Sequence, residues 1–337
     1  MFYNFKNKDI YQIIKKKFII VKMQGILDNQ YNILSFKEEG FNRLYYTTRH
    51  NQTQTLNIIG IQKGENNNNN NIIPANEINI LNILNNANNP NILRYIGNGN
   101  GPLVLNGEPP RNVPYIVFEN APKFSLFEYI IYGNIRFSEI KVKLIFKKIL
   151  NGIRAIHNAN ICHGDIKPEY ILFDENYNPK IGFFELSLLN ANNIDEFIGT
   201  KRYCAPEKIN LIPYNGIQAD IFSLGQTLFM LKEGILAFES SENADEHYSL
   251  IAQNNIVQFW NLPKFQGLNL SQGFKDLFIR MVSNNPNQRP TIDQILNDPW
   301  MQEINNLNEQ ELATLENEIK QEFHNREAQI FDKNIEE

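Results

Sequence analysis

A polar loop in the middle of the chain constrains the fold more than any other segment. Residues 163–170 read His-Gly-Asp-Ile-Lys-Pro-Glu-Tyr, and residues 140–158 before them carry apolar side chains at helical intervals. This pattern predicts a long buried helix that leads into a loop bearing a carboxylate, Asp165, and an ammonium, Lys167. Tyr170 ends the loop, and a phenol is a poor ligand for a hard cation, which prefers carboxylate, amide or water oxygens.

The loop resembles the catalytic loop of protein kinases, H-R-D-x-K-x-x-x-N, in which the Asp accepts the substrate proton and the Asn holds magnesium. Asp165 and Lys167 match, whereas Gly164 replaces the Arg and Tyr170 the Asn. Four further segments resemble family motifs in the same order: residues 89–93, 199–207, 220–225 and 289–290. Arg289 resembles the family's Arg that pairs with the glutamate matched here by Glu207, and the whole resemblance extends over about residues 34 to 301. It implies an α+β, bilobal protein kinase fold, with a small β-rich N-lobe and a larger helical C-lobe.

The domain organisation follows from this resemblance. We expect a lead-in segment at residues 1–30 and a kinase-like domain at 31–301, with its N-lobe at 31–119 and its C-lobe at 122–301. Residues 302–337 form an acidic, helix-prone tail. Its apolar stripe of Leu312, Leu315 and Ile319 packs either on the chain's own domain or on a partner helix.

Composition excludes several classes of partner. The net charge of -5 gives no broad basic face for nucleic acid. The apolar run at residues 18–21 is far shorter than the roughly 20 residues of a membrane span. Cys162 and Cys204 lie inside apolar motif segments rather than at paired or metal-ligand spacings, which favours a reducing compartment, and we expect a cytoplasmic protein.

The phosphate-binding parts of the family are altered in this chain. Residues 37–44 match the glycine-rich loop G-x-G-x-x-G-x-V, with its three glycine positions filled by Lys37, Glu39 and Asn42. The strand that carries the phosphate-binding Lys has the neutral Gln62 at that position, and Lys63 should point to the other face because strand side chains alternate. Glu77 resembles the helix glutamate that pairs with this Lys, so we expect at best a hydrogen bond from Gln62.

The metal-binding motif is altered as well. At the position of D-F-G the chain has Phe183, Phe184 and Glu185, so the Asp that binds magnesium is a Phe. Together with Tyr170, this removes both side-chain metal ligands of the family, and we predict that magnesium binding is lost and that there is no metal site. The positions that the resemblance still implies for ATP are Gln62, Glu77, Phe118, Glu119, Ala121 and Leu172.

Asp165, Lys167 and Thr200 are the catalytic residues that the resemblance implies, with Thr200 supporting the other two. Because the losses fall on phosphate and metal handling, we predict a serine/threonine-type pseudokinase that acts as a binding or allosteric module for a protein partner. The alternative is a weak or unconventional kinase that uses Asp165 and Lys167 on a protein substrate, with Lys63 or Glu185 recruited. A third hypothesis is metal-free ATP binding at the hinge near Glu119 and Ala121.

Overall fold

The chain forms a β-barrel followed by a helical body, and the computed structural model describes residues 25–63, 73–105, 109–242 and 244–336. The barrel strands are Gly25–Leu27 (β1), Tyr31–Glu39 (β2), Arg43–His50 (β3), Leu56–Gln62 (β4), Tyr95–Leu105 (β5) and Arg111–Glu119 (β6). They are antiparallel and close in the order β1-β2-β3-β4-β6-β5. Helix α1, Ala75–Ala87, lies between β4 and β5 in the chain. This is the predicted small, β-rich N-lobe.

The barrel begins before Tyr31, where we placed the start of the domain. Gly25 pairs with Ile33 of β2 and with Leu105 of β5, so β1 closes the barrel. A strand of three residues is too short to show the alternation that reveals a strand in sequence. Strand β1 therefore lies within the segment at residues 1–30 that we assigned to the lead-in, and residues 1–24 lie outside the described part of the chain.

The C-lobe is helical, as predicted. Its helices are Leu126–Ile131 (α2), Glu139–Asn158 (α3), Pro206–Ile209 (α4), Gly216–Glu233 (α5), Glu246–Ala252 (α6), Ile256–Trp260 (α7), Gln272–Met281 (α8), Ile292–Leu296 (α9), Pro299–Gln302 (α10) and Glu309–Glu336 (α11). Two small sheets pair Ile161–Cys162 (β7) with Leu188–Leu189 (β10), and Ile171–Phe173 (β8) with Pro179–Ile181 (β9). Short 3-10 turns occur at Pro168–Tyr170, Lys201–Tyr203, Pro263–Phe265, Pro286–Gln288 and Glu303–Asn306.

Helix α3 confirms the predicted long buried helix before the loop. Its apolar stripe, including Ile149, Ile153 and Ile156, is fully buried. It packs against β9 and the central helix α5, which is buried along most of its length. These contacts hold the helix that leads into the loop at residues 163–170 against the body of the C-lobe.

The tail helix α11 packs on the C-lobe rather than standing free. Leu315, Ile319, Phe323 and Ile330 are buried in the core that α3 also joins. Lysines of the C-lobe pair with its glutamates: Lys141 with Glu318 at 2.8 Å, Lys148 with Glu316 at 2.9 Å and Lys123 with Glu327 at 3.0 Å. Of the two alternatives for the apolar stripe, the structure therefore shows packing on the chain's own domain.

Candidate active site and nucleotide cleft

Asp220 on α5 anchors the loop at residues 163–170. Its carboxylate accepts the backbone N–H groups of His163 at 2.7 Å and of Gly164 at 3.0 Å, and His157 Nε2 lies 3.0 Å away. Burial alone would raise the pKa of Asp220, but the hydrogen bond to His157 and the two nearby imidazoles lower it. The loop is thus held by a charged carboxylate inside the protein.

The three predicted catalytic residues lie together. Asp165 accepts hydrogen bonds from the Thr200 N–H at 2.8 Å and the Thr200 hydroxyl at 3.1 Å, and Lys167 Nζ lies 3.2 Å from the same carboxylate. Lys167 also donates to Thr200 Oγ1 at 2.9 Å. Both oxygens of Asp165 therefore have protein partners already, so a substrate hydroxyl would have to share them.

An ion pair between Arg289 and Glu207 holds the segment that follows Thr200. Arg289 donates to both oxygens of Glu207, at 2.6 and 2.8 Å, which is the pairing that the resemblance implied. The neighbouring Lys208 is buried and donates to the backbone oxygen of Gly164 at 2.8 Å. An ammonium from α4 thus binds the loop beside the position where the family has its Arg.

Aromatic rings fill the positions of the family's metal ligands. Tyr170 lies with its ring 4.1 Å from Lys167 Nζ and 5.1 Å from the Phe183 ring. Phe183 in turn contacts Tyr45 of β3, with the ring centroids 4.1 Å apart. All three rings are buried, and burial raises the pKa of Tyr170 well above its usual value. These phenols and rings offer no oxygen that suits magnesium.

The ring of Tyr45 fills space between the barrel and Phe183, in the region of the family's nucleotide cleft. The sequence did not predict this. Tyr45 pairs across the sheet with Gly60, where a Cβ atom would lie 2.5 Å from its ring. Gly60 therefore has to lack a side chain for Tyr45 to fit. A glycine inside a buried strand often marks such a close approach, and this was the one available signal.

Glu185 holds the turn between β2 and β3. It accepts a hydrogen bond from the Asn42 N–H at 2.5 Å and from the Tyr45 hydroxyl at 2.7 Å. A side chain at Gly40 would overlap the Glu185 carboxylate. Burial raises the pKa of Glu185, and the nearby Arg43 with these two donors offsets part of that rise. A carboxylate thus lies against the turn that binds phosphates in the family.

Arg43 supplies the cation for Glu77, which corrects our expectation of a weak contact with Gln62. Its guanidinium donates to both oxygens of Glu77, at 2.6 and 2.8 Å, and both side chains are buried. Arg43 lies directly across the β3–β4 pair from Gln62. Among the residues that the structure describes, Gln62 Oε1 is buried with no hydrogen-bond partner.

Lysines bind backbone oxygens around the same turn and at the hinge. Lys37 Nζ donates to the oxygens of Ala121 at 2.8 Å and Lys123 at 2.5 Å. Lys63 donates to Gly40 O at 2.7 Å and pairs with Glu39 at 2.7 Å, so it does not take the place of the missing Lys. Ala121, which we predicted to bind nucleotide, thus has its backbone oxygen bound by Lys37 of the chain itself.

The remaining residues that we predicted for nucleotide binding are either buried or held in an ion pair. Phe118 is buried, with its ring 6.5 Å from that of Tyr45. Leu172 and Ala121 are also buried. Glu119 pairs with Lys180 at 2.7 Å. Phe118, Ala121 and Leu172 thus belong to one buried core, whereas Glu77 is engaged by Arg43 and Glu119 by Lys180.

The chain belongs to the protein kinase family. The family described as protein kinase domain matches residues 40–301. Serine/threonine kinases are among its curated relatives. It is 33% identical over 191 residues to CBL-interacting serine/threonine-protein kinase 26 of Arabidopsis thaliana, covering 55% of this chain and 41% of that protein. It is 32% identical over 190 residues to serine/threonine-protein kinase SAPK1 of Oryza sativa subsp. japonica, covering 55% and 54%.

A third relative, maternal embryonic leucine zipper kinase of Xenopus laevis, is 31% identical over 198 residues, covering 58% of this chain and 29% of that protein. The chain thus spans about half or less of the length of these relatives. Within the described ranges, no helix is long and apolar enough to cross a membrane. The same ranges contain no group of three or more His, Cys, Asp or Glu residues placed to hold a metal ion.

Proposed function

We propose that this kinase-fold protein is a pseudokinase, a nucleotide-independent binding module rather than a phosphotransferase. The observation that carries this proposal is the set of side chains in the cleft. Lys37 binds the backbone oxygens of the hinge, and Glu185 binds the turn between β2 and β3, which contacts phosphate in the family. The ring of Phe183 packs between those of Tyr45 and Tyr170.

The charges in the cleft argue in the same direction. Phosphoryl transfer depends on positioning and on cations that stabilise the charge on the transferred phosphoryl group. Here the metal-ligand positions are aromatic, and Glu185 presents a carboxylate to the turn. Removal of one preorganised electrostatic group commonly slows a reaction roughly 10²- to 10³-fold. Several such groups are absent together, although their effects need not multiply.

Thermal denaturation with ATP, with and without magnesium, tests the proposal. We expect no rise in the midpoint of unfolding under either condition. A rise with magnesium and ATP that disappears in Asp165→Ala, but persists in the exposed control Glu175→Ala, would contradict it. A rise with ATP alone would instead support metal-free binding at the hinge.

A weak kinase is the second candidate, because one group of observations favours it. The network of Asp165, Thr200 and Lys167 is complete, and Arg43 restores a cation beside Glu77. This hypothesis predicts transfer of radiolabel from ATP to the protein itself or to a protein substrate. Asp165→Asn should abolish the transfer, since an amide cannot accept the substrate proton.

In either case the proposed partner or substrate is a protein. The named relatives are serine/threonine kinases, which act on proteins. A cytoplasmic location remains a prediction from the cysteines alone, because reduced thiols suit that compartment.

A further inference from the structure

Three large apolar side chains are exposed on the C-lobe beside the segment that leads to Thr200. Phe197 is 46% exposed, Leu211 57% and Ile212 56%. Single exposed apolar residues are common on proteins and need no explanation, whereas a contiguous group marks a site of interaction.

Backbone pairing joins the two segments that carry them. Ile194 and Tyr214 exchange N–H···O bonds in an antiparallel bridge, each 2.9 Å long. Two residues after Ile194, the backbone oxygen of Glu196 accepts a hydrogen bond from the Tyr214 hydroxyl at 3.2 Å. Residues 195–197 therefore lie alongside residues 211–213. We call the exposed residues of these two segments the acidic-apolar patch: Asp195, Glu196, Phe197, Leu211, Ile212 and Pro213.

The charge on this patch is negative. Asp195 and Glu196 are exposed, and neither forms an ion pair with any residue that the structure describes. The basic side chains that follow along the chain already have acidic partners: Lys201 lies 2.8 Å from Glu242, and Arg202 lies 3.4 Å from Glu239. The patch thus combines apolar side chains with two carboxylates that have no ion-pair partner in the described part of the chain.

Leu211 has a backbone conformation that argues for a role outside folding. Its φ of 53° lies in the left-handed region, which glycine adopts freely and a large side chain rarely does. Its side chain is mostly in solvent, so packing does not compensate for this strain. Strained residues of this kind are concentrated at functional sites.

We propose that the acidic-apolar patch is a docking site for a partner protein, through a segment that presents apolar side chains next to Lys or Arg. The apolar side chains of the partner would cover Phe197, Leu211 and Ile212, and its cations would pair with Asp195 and Glu196. An anionic membrane does not fit, because the two carboxylates would repel it. The proposal holds whether or not the protein transfers phosphate, since no patch residue lies in the cleft.

Fluorescence anisotropy with a model peptide tests this proposal on the full chain. The probe is a labelled amphipathic peptide of leucine and lysine, and the comparison probe has glutamate in place of lysine. We expect the lysine peptide to bind and the glutamate peptide not to bind. Asp195→Asn with Glu196→Gln, and separately Ile212→Ser, should each raise the Kd about tenfold or more. The matched controls are Glu175→Gln, at an exposed carboxylate elsewhere, and Val257→Ser, at an exposed β-branched apolar residue elsewhere. Both should leave the Kd unchanged.

Leu211→Gly separates docking from folding. Glycine relieves the backbone strain, so the midpoint of thermal unfolding should stay the same or rise, whereas peptide binding should weaken. Absence of binding by the wild-type chain would overturn the proposal. The proposal would also be overturned if the patch variants bound the lysine peptide as well as the controls do, or if the wild-type chain bound the glutamate peptide equally well. Binding of the chain to anionic vesicles through the patch would overturn it too.

Discussion

Arg43 and Glu77 form a buried, two-point ion pair between strand β3 and helix α1, with N···O distances of 2.6 and 2.8 Å. The cation comes from the strand next to the one that bears Gln62, the position of the family's lysine. Helix α1 is therefore held against the barrel without that lysine. Because the guanidinium matches a carboxylate at two points, the contact is geometrically specific as well as charged.

Removing Arg43 should destabilise the protein strongly. Arg43→Ala leaves Glu77 charged and buried, and breaking a buried pair in this way costs about 3–5 kcal/mol. Arg43→Met combined with Glu77→Leu removes both charges and should recover most of that loss, because no unpaired charge remains. Urea denaturation measures both effects. Arg49→Ala, on an exposed position of the same strand, is the control, and an equal loss in that variant would contradict the explanation.

Tyr45 should exclude planar ligands from the cleft. Tyr45→Ala removes a buried ring and should lower the free energy of unfolding by about 3–5 kcal/mol. The cavity faces Gly60 and Phe183, so we expect free adenine to raise the midpoint of thermal unfolding in this variant and not in the wild type.

Tyr45→Phe is the control for this cavity. It removes only the hydroxyl that donates to Glu185 and should cost about 1 kcal/mol without creating an adenine site. If adenine stabilised the wild type and Tyr45→Ala equally, Tyr45 would not be what fills this space.

Glu169 should make stability depend on pH. Burial raises its pKa from 4.5 to about 7, and its Oε2 atom has no hydrogen-bond partner among the described residues. The folded state therefore holds a proton between pH 4.5 and about 7 that the unfolded chain has lost. The contribution of Glu169 is fully present below pH 4.5 and declines as the pH rises to about 7.

Denaturant unfolding at pH 5 and pH 8 measures this dependence. Glu169→Gln keeps the shape but cannot ionise, so it should reduce the loss of stability between the two values. Glu175→Gln changes an exposed carboxylate and should leave the wild-type difference unaltered. A pH dependence identical in wild type and Glu169→Gln would show that Glu169 does not titrate in this range.

The sequence predicted the parts of the fold that depend on local pattern. The apolar periodicity before the loop predicted helix α3, and the motif order predicted the pair of Glu207 and Arg289. The same reasoning missed Arg43, because it occupies a variable motif position and its partner is set by strand register rather than by spacing along the chain. The contacts of Tyr45 and Lys37 were missed because they join segments far apart in sequence.

The tail helix α11 should contribute to the stability of the C-lobe through Phe323. Its ring is fully buried and lies 4.5 Å from the ring of Tyr129 and 4.7 Å from that of Phe173. Phe323→Ala should therefore lower the free energy of unfolding by about 3–5 kcal/mol, measured by urea denaturation. Phe331→Ala, on a side chain that is more than half exposed, should cost much less. Equal losses in the two variants would contradict the packing of the tail on the C-lobe, because Phe323 lies in the shared core and Phe331 is mostly exposed.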